Sequence, residues 1–135
     1  ALYQKNERAA SARFLAGYDP KLPFKNCLKT VWVNYLKHRI EFHDESIFME
    51  QYYYSPYITI AQKQIAEEMK KPVYGIINRG KEEGIINSNI ETEMLFSAMI
   101  GFIRELADEH VESRYIMIKQ RIDQAFELSW KMITN

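Results

Sequence analysis

Two histidines and a glutamate lie close together near the middle of the chain, and they are the first candidates for metal or acid-base chemistry. His38 and Glu41 are three residues apart and could share one face of a helix. His43 lies five residues from His38, which is the wrong spacing for a two-histidine zinc site on a helix, and no second His-Glu pair occurs to complete a di-iron bundle. The spacing therefore argues against a metal, and we predict no metal ligand and no cofactor.

The other reactive side chains fit structural roles. His110 lies among Asp108, Glu109 and Glu112, as expected for the solvated end of a helix. The only cysteine, Cys27, lies on an apolar stripe, where packing is favoured over reactivity. The sequence contains neither a glycine-rich phosphate loop nor a nucleophile elbow, so we predict no catalytic residue.

Composition and charge describe one ordinary domain that spans residues 1–135. Lys plus Arg total 18 and Asp plus Glu total 18, so the chain lacks the basic excess of a free-standing nucleic-acid binder. A single cysteine excludes an internal disulfide and favours a reducing compartment, which makes the cytoplasm the expected location. No stretch approaches the roughly 18 apolar residues of a membrane span, and the amino terminus does not resemble a signal peptide, so no membrane contact is expected.

Glycine and proline lie between segments whose apolar residues recur at helical spacing. The sequence predicts an all-α fold, a six-helix orthogonal or antiparallel bundle with helices at about 2–16, 24–41, 44–54, 59–83, 90–110 and 113–133. Pro72 should kink the fourth helix, because proline lacks the amide hydrogen. Gly84 suits a left-handed helix end, with Ile85 or Ile86 packing back over the last turn.

The last two predicted helices carry more apolar surface than one small domain can cover. Between Met94 and Ile103 the only hydroxyl is that of Ser97 and there is no charge, which is typical of a helix buried on all sides. The rest of the chain can bury only one side of these two helices, so we expect a second copy of the chain to bury the opposite side. The two pairs of helices would then form a four-helix bundle. Gly101 fits either a close approach of helices at this interface or a bulky neighbour within one subunit. The predicted interface residues are Ala98, Gly101, Glu105, Ile118, Ile122, Ala125, Phe126, Ser129 and Ile133.

Three local patterns follow one another along the chain. The segment from Phe42 to Tyr57 has an acidic helix start, an aromatic centre and a Ser-Pro-Tyr ending. Gly80 and Gly84 enclose three residues at a helix end and precede two isoleucines, and Trp130 lies near the end of the last helix. In this order the patterns resemble the carboxy-terminal regulatory domain of TetR-type transcriptional repressors, and the resemblance covers nearly the whole chain.

The resemblance implies a homodimer built on the last two helices and an internal pocket for a small-molecule effector among the preceding ones. It also implies an upstream DNA-binding head of three helices, which this sequence lacks, so operator DNA is expected to be bound only through an N-terminal domain outside it. In this family a ligand shifts the helix that follows the head, here Leu2 to Ala16, and so changes the spacing of the two heads in the dimer.

Composition guides the choice of pocket residues, because ligand contacts vary from one family member to another. Aromatic rings and a flexible methionine suit flat apolar ligands, and tyrosine hydroxyls can orient a polar group. Plain core packing is the competing interpretation for each of these side chains. The predicted pocket residues are Trp32, Tyr35, Phe48, Tyr52, Tyr53, Tyr74, Ile77, Phe96, Met99, Phe102 and Ile103.

Two other functions stay open at this stage. One is a helical dimerisation or interaction module without a small-molecule ligand, which a packed interior without a cavity would favour. The other is a metal-dependent helical-bundle enzyme, which stoichiometric metal in the purified protein would favour.

Overall fold

A computed structural model describes residues 2–135 and contains six α-helices. Their bounds are α1 (Leu2–Phe14), α2 (Phe24–Glu41), α3 (His43–Tyr53), α4 (Ile60–Glu82), α5 (Thr92–Val111) and α6 (Lys119–Ile133). Extended pairing in this part of the chain is limited to one antiparallel bridge between Ile86 and Thr134. The predicted all-α class is confirmed. Within the same residues, no helix has the length and apolar character needed to cross a membrane.

The core is organised around α2, which packs against α1, α3, α5 and α6. Its apolar residues recur three and four positions apart, so one side of the helix is continuously apolar. Leu28, Trp32 and Leu36 are each at most 2% exposed on that side. On α5 the matching side buries Phe96 and Ile103, and the two helices together form the centre of the domain.

Local sequence fixes both ends of α4. At its start the Thr59 hydroxyl accepts a hydrogen bond from the Gln62 amide at 3.1 Å, and the Gln62 side chain accepts one from the Thr59 amide at 3.0 Å. This reciprocal cap satisfies amides that have no partner inside the helix. The helix continues without interruption through Pro72. The kink expected there stays a prediction.

The predicted end of α4 is confirmed. Gly84 has a φ of +74°, and the amides of Ile85 and Ile86 donate to the Gly80 carbonyl at 2.9 and 3.1 Å. Ile86 is fully buried and packs against Gly80, where an added Cβ would come within 2.7 Å of the Ile86 side chain and 2.6 Å of the Phe24 ring. This turn therefore needs one glycine for its backbone angle and another for close packing.

The last helix is shorter than predicted. We expected it from about residue 113, but it begins at Lys119. Ser113 adopts a φ of +58°, which a helix does not allow, and the chain then turns back over the end of α5. The Met117 amide donates to Nδ1 of His110 at 2.9 Å, and the Met117 side chain is buried, so residues 113–118 form a fixed loop.

Candidate functional site

A cavity of about 420 Å³ lies among α1, α2, α3, α4 and α5. This volume falls in the range of roughly 300–1,000 Å³ that is common for small-molecule sites. The polar side chains in the wall come from all five helices and include Asn6, Glu7, His38, Arg39, Glu45, Glu50, Lys70 and Arg104. The aromatic side chains in the wall are Tyr3, Phe14, Tyr35, Tyr53, Tyr54, Tyr74 and Phe96.

The Tyr35 ring lies at the centre of the aromatic wall. It stacks on Phe14 of α1 with ring centroids 3.7 Å apart, and it meets Phe96 of α5 edge-on at 6.4 Å. Phe96 in turn meets Tyr74 of α4 edge-on at 5.1 Å. Burial raises the pKa of the Tyr35 phenol, so the hydroxyl stays protonated and can donate a hydrogen bond. The wall thus offers flat apolar surface together with a phenolic donor.

An ion-pair network centred on the buried Arg39 joins α2, α3 and α5 beside the cavity. Arg39, whose side chain is 8% exposed, bonds to Glu50 and, through Nε at 3.1 Å, to Asp108. Arg104 Nε lies 3.2 Å from the same Glu50 carboxylate, and His43 Nε2 lies 2.8 Å from Asp108. Burial opposes ionisation of Asp108, but hydrogen bonds from Arg39 and His43 outweigh it and lower the pKa of that carboxyl. Because none of the 11 residues of α3 is buried, this network is a main attachment of α3 to the domain.

His38 and Glu7 are among the polar groups of the cavity wall that have no partner within residues 2–135. Nδ1 of His38 is buried without a hydrogen bond. Burial, with the charge of Arg13, lowers the pKa of His38 to about 4, so the ring is neutral at neutral pH. Glu7 makes neither a hydrogen bond nor an ion pair there, and burial raises its pKa although Lys70 acts in the opposite direction. The Glu7 carboxylate is thus available to a molecule that enters the cavity, whereas Nδ1 of His38 is itself shielded from solvent.

Comparison with known proteins decides the family. The sequence profile described as "Tetracyclin repressor-like, C-terminal domain" matches residues 23–134. The chain belongs to this TetR-like family. A search of curated proteins gives no match.

Solved structures of TetR-family regulators have the same fold as this TetR-like domain. One, from Vibrio parahaemolyticus, is assigned to the TetR family of transcriptional regulators and shares 22% identity at a TM-score of 0.79. Another, a TetR-family transcription regulator from Marinobacter aquaeolei VT8, shares 16% identity at a TM-score of 0.82. Each match covers 99% of this chain and 72% of the other. At these identities the likeness establishes the fold, and the family match points to a transcriptional regulator.

The structure divides the predicted pocket residues into two groups. Tyr35, Tyr53, Tyr74, Phe96 and Ile103 line the cavity. The others lie outside its lining: Trp32, Ile77 and Met99 are buried in the core, Phe48 is half exposed, Phe102 packs at the edge of the core, and the Tyr52 hydroxyl bonds to Gln62. Composition alone did not distinguish the side of each helix that faces the cavity from the side that faces the core.

The contribution of α1 to the cavity was not predicted from the sequence. Tyr3, Glu7, Ala10 and Phe14 all line it, together with Asn6. The first four are spaced four, three and four residues apart, which places them on one face of a helix. A carboxylate within an otherwise apolar stripe was the signal that could have identified this wall.

The predicted dimer interface is also divided. Ala98, Gly101, Glu105 and Ile118 are exposed on the subunit, and Ile122 is half buried. Ala125, Phe126, Ser129 and Ile133 are instead at most 5% exposed, because they pack on α2 and on the turn after α4. These four side chains have no surface left for a second subunit, which corrects their assignment to the interface.

Each of the last two helices leaves one apolar stripe uncovered, and we call these the exposed stripes. On α5 the stripe contains Met94, which is 62% exposed, with Ala98 and Gly101. A Cβ added to Gly101 would meet no atom within 4 Å, so no bulky neighbour within the subunit requires a glycine there. On α6 the stripe contains Ile118, Leu128 and Met132, which are 51%, 61% and 47% exposed.

Proposed function

We propose that this TetR-like domain senses a small lipophilic or aromatic effector in the cavity and forms the homodimer of a cytoplasmic transcriptional repressor. The ligand shifts α1 and thereby changes the DNA affinity of the full-length protein. Operator DNA is contacted through an N-terminal domain that lies outside this sequence. The observation that carries the proposal is a cavity of suitable size with α1 as part of its wall.

The attachment of α1 supports its role as the moving element. Its carboxyl end is held by Asn34, whose side-chain amide donates to the carbonyls of Phe14 and Ala16 at 3.0 and 2.8 Å. Towards the amino end, Tyr3 is the only residue of α1 that is buried. A ligand that binds more tightly to one position of α1 than to another shifts the equilibrium between these positions by the difference between the two binding free energies.

The exposed stripes support the homodimer. A small monomeric protein rarely leaves large apolar side chains exposed on two neighbouring helices, and such surfaces mark contacts with a partner. A two-fold axis would bring the same α5 and α6 surfaces of two subunits together as a four-helix bundle. Gly101 also lines the cavity, and an added Cβ there would meet no atom within 4 Å. In the dimer it would let the two α5 helices approach closely.

A thermal-shift screen of the purified domain tests the sensing function. The library contains lipophilic cations, aromatic drugs, fatty acids and flavonoids. A true ligand raises the stability with concentration, by about 2.7 kcal/mol at one hundred times its Kd. The proposal is overturned if no compound of any class stabilises the protein, a result that favours an interaction module without a ligand.

A matched pair of variants of α1 shows whether a stabilising compound occupies the cavity. Ala10 lines the cavity, whereas Ala12 is exposed on another side of the same helix. Ala10→Trp should fill part of the cavity and abolish the thermal shift, and Ala12→Trp should retain it. Equal shifts in the two variants would place the compound elsewhere on the protein.

A further inference from the structure

We infer that the effector is a positively charged molecule, an aromatic or lipophilic amine, whose ammonium group pairs with the carboxylate of Glu7. This inference rests on the proposed function, because it names the chemical class of the ligand that the same cavity binds. It follows from the charges of the wall, from the partners those charges have, and from the rings that surround them.

The guanidinium groups of the wall are already neutralised by the protein. Arg39 and Arg104 share the carboxylate of Glu50, and Arg39 also bonds to Asp108. Two guanidinium groups are thus matched by two carboxylates within one network. An anionic ligand would have to compete with these pairs for its partner.

The remaining cation of the wall is also paired, whereas the remaining carboxylates are not. Lys70 lies 3.3 Å from Glu67, which projects outside the cavity. Glu7 and Glu45 line the cavity and form no hydrogen bond or ion pair with any described residue. The wall itself carries three carboxylates and three cations, but the cations are paired with Glu50 and with carboxylates outside the wall, which leaves Glu7 and Glu45 without partners among the described residues.

Burial makes Glu7 the stronger of these two candidates. Burial raises its pKa despite the opposing charge of Lys70, which means that the ionised form is destabilised by the loss of water. Glu7 lines the same cavity as the Tyr3 and Tyr35 rings. A cation in the cavity would supply the partner that Glu7 lacks.

The aromatic wall suits the same ligand. Ring faces carry a negative quadrupole that attracts cations, and they provide flat surface for an apolar body. Tyr3, Tyr35 and Tyr74 lie in the wall with two phenylalanine rings. His38 adds no positive charge, because burial lowers its pKa to about 4.

Three naphthalene probes of similar shape test the inference by titration calorimetry at pH 7: 1-naphthylmethylammonium, 1-naphthylmethanol and 1-naphthoate. The cation should bind about tenfold more tightly than the alcohol, and the anion most weakly. Glu7→Gln should bring the ratio of cation to alcohol affinity close to one. Glu68→Gln is the matched control, because Glu68 is exposed on α4 and pairs with Lys71 outside the cavity; it should keep the wild-type ratio.

Three results would overturn the inference. Equal affinities for cation and alcohol in the unsubstituted protein would show that charge is not recognised. A preference that survives Glu7→Gln, or that Glu45→Gln abolishes instead, would remove Glu7 as the partner. If no naphthalene binds, compounds that stabilise the protein in the thermal-shift screen replace the probes. Ligands that are all neutral or anionic would overturn the assignment of a cationic effector but not the sensing function. A screen that finds no ligand would overturn the cationic effector and the sensing function together.

Discussion

The indole nitrogen of Trp32 lies 3.0 Å from the hydroxyl oxygen of Ser129, and this hydrogen bond joins α2 to α6 inside the core. Both side chains are at most 2% exposed. The Trp32 ring also meets Phe126 edge-on, with centroids 5.9 Å apart. The side of α6 that carries Ser129 and Phe126 therefore belongs to the interior of the subunit, and in the proposed dimer the second subunit would contact another side.

Replacing Ser129 by alanine should destabilise the subunit without changing its association. The substitution leaves the buried N–H of Trp32 without an acceptor, which costs about 1–3 kcal/mol of unfolding free energy. Urea unfolding at fixed protein concentration measures the loss. In the double variant with Trp32→Phe the loss attributable to Ser129→Ala should shrink, because no donor is left unpaired. A Ser129→Ala protein with unchanged stability but weakened association would contradict this role.

Replacing Leu128 by aspartate should convert the dimer to a folded monomer at micromolar concentration. Leu128 is 61% exposed, so the charge is tolerated in the subunit but not in an apolar interface. Sedimentation equilibrium measures the mass. Ile60→Asp is the control, because Ile60 is 79% exposed at the start of α4, away from the exposed stripes. If both variants associate as tightly as the unsubstituted protein, the stripe on α6 is not the interface.

Gly101→Ala should stabilise the isolated subunit and weaken the dimer. Alanine is favoured over glycine inside a helix by roughly 0.5–1 kcal/mol, and nothing within the subunit lies within 4 Å of the added Cβ. At a close helix contact between subunits, however, the methyl group would keep the helices apart. Gly75→Ala is the matched control, since Gly75 is also a helical glycine with open space around it. Urea unfolding measures the change in subunit stability, and the dimer dissociation constant measures the change in association. Equal dissociation constants for Gly101→Ala and Gly75→Ala would place Gly101 outside the contact between subunits.

The neutral ring of His38 should make stability depend on pH. Its pKa in the folded protein is about 4, below the ordinary histidine value of about 6.5, because burial and the charge of Arg13 disfavour the protonated ring. Between these values the unfolded chain binds a proton that the folded protein does not, so stability present at pH 7 is lost as the pH falls, by up to about 1 kcal/mol per pH unit. His38→Phe keeps a ring against Phe14 and Phe42 and removes the titration. Urea unfolding from pH 7 to pH 5 should give a shallower slope for the variant; identical slopes would show that His38 is not the titrating group.

The sequence was sufficient to predict the helices whose ends carry local signals. Gly84 ends α4 because a left-handed turn favours glycine, and that preference is visible in the sequence. The start of α6 carries no such signal. Ser113 takes the left-handed conformation without being glycine, and apolar residues such as Tyr115 and Ile118 continue the helical spacing through the loop. A pattern of this kind does not distinguish a helix from a loop that packs on one.

The faces of the helices were harder to predict than the helices themselves. In α6 the helical spacing places Phe126 on the apolar side, but it does not tell whether α2 of the same subunit or a second subunit covers that side; in the structure Trp32 of α2 packs there. The same limit applies to the cavity. Glu7 is partly buried by helices distant in sequence, so its own neighbours do not indicate that it faces a cavity.

The place of α1 in the cavity wall has a consequence for anyone who builds chimeric regulators from this domain. Tyr3, Glu7 and Phe14 contact the same space that the ligand is proposed to fill, although they lie at the amino end of the domain. A junction placed within α1 would exchange some of these side chains for foreign ones and alter the response to the inducer. The splice should therefore lie before Leu2, so that α1 is transferred with the rest of the sensor.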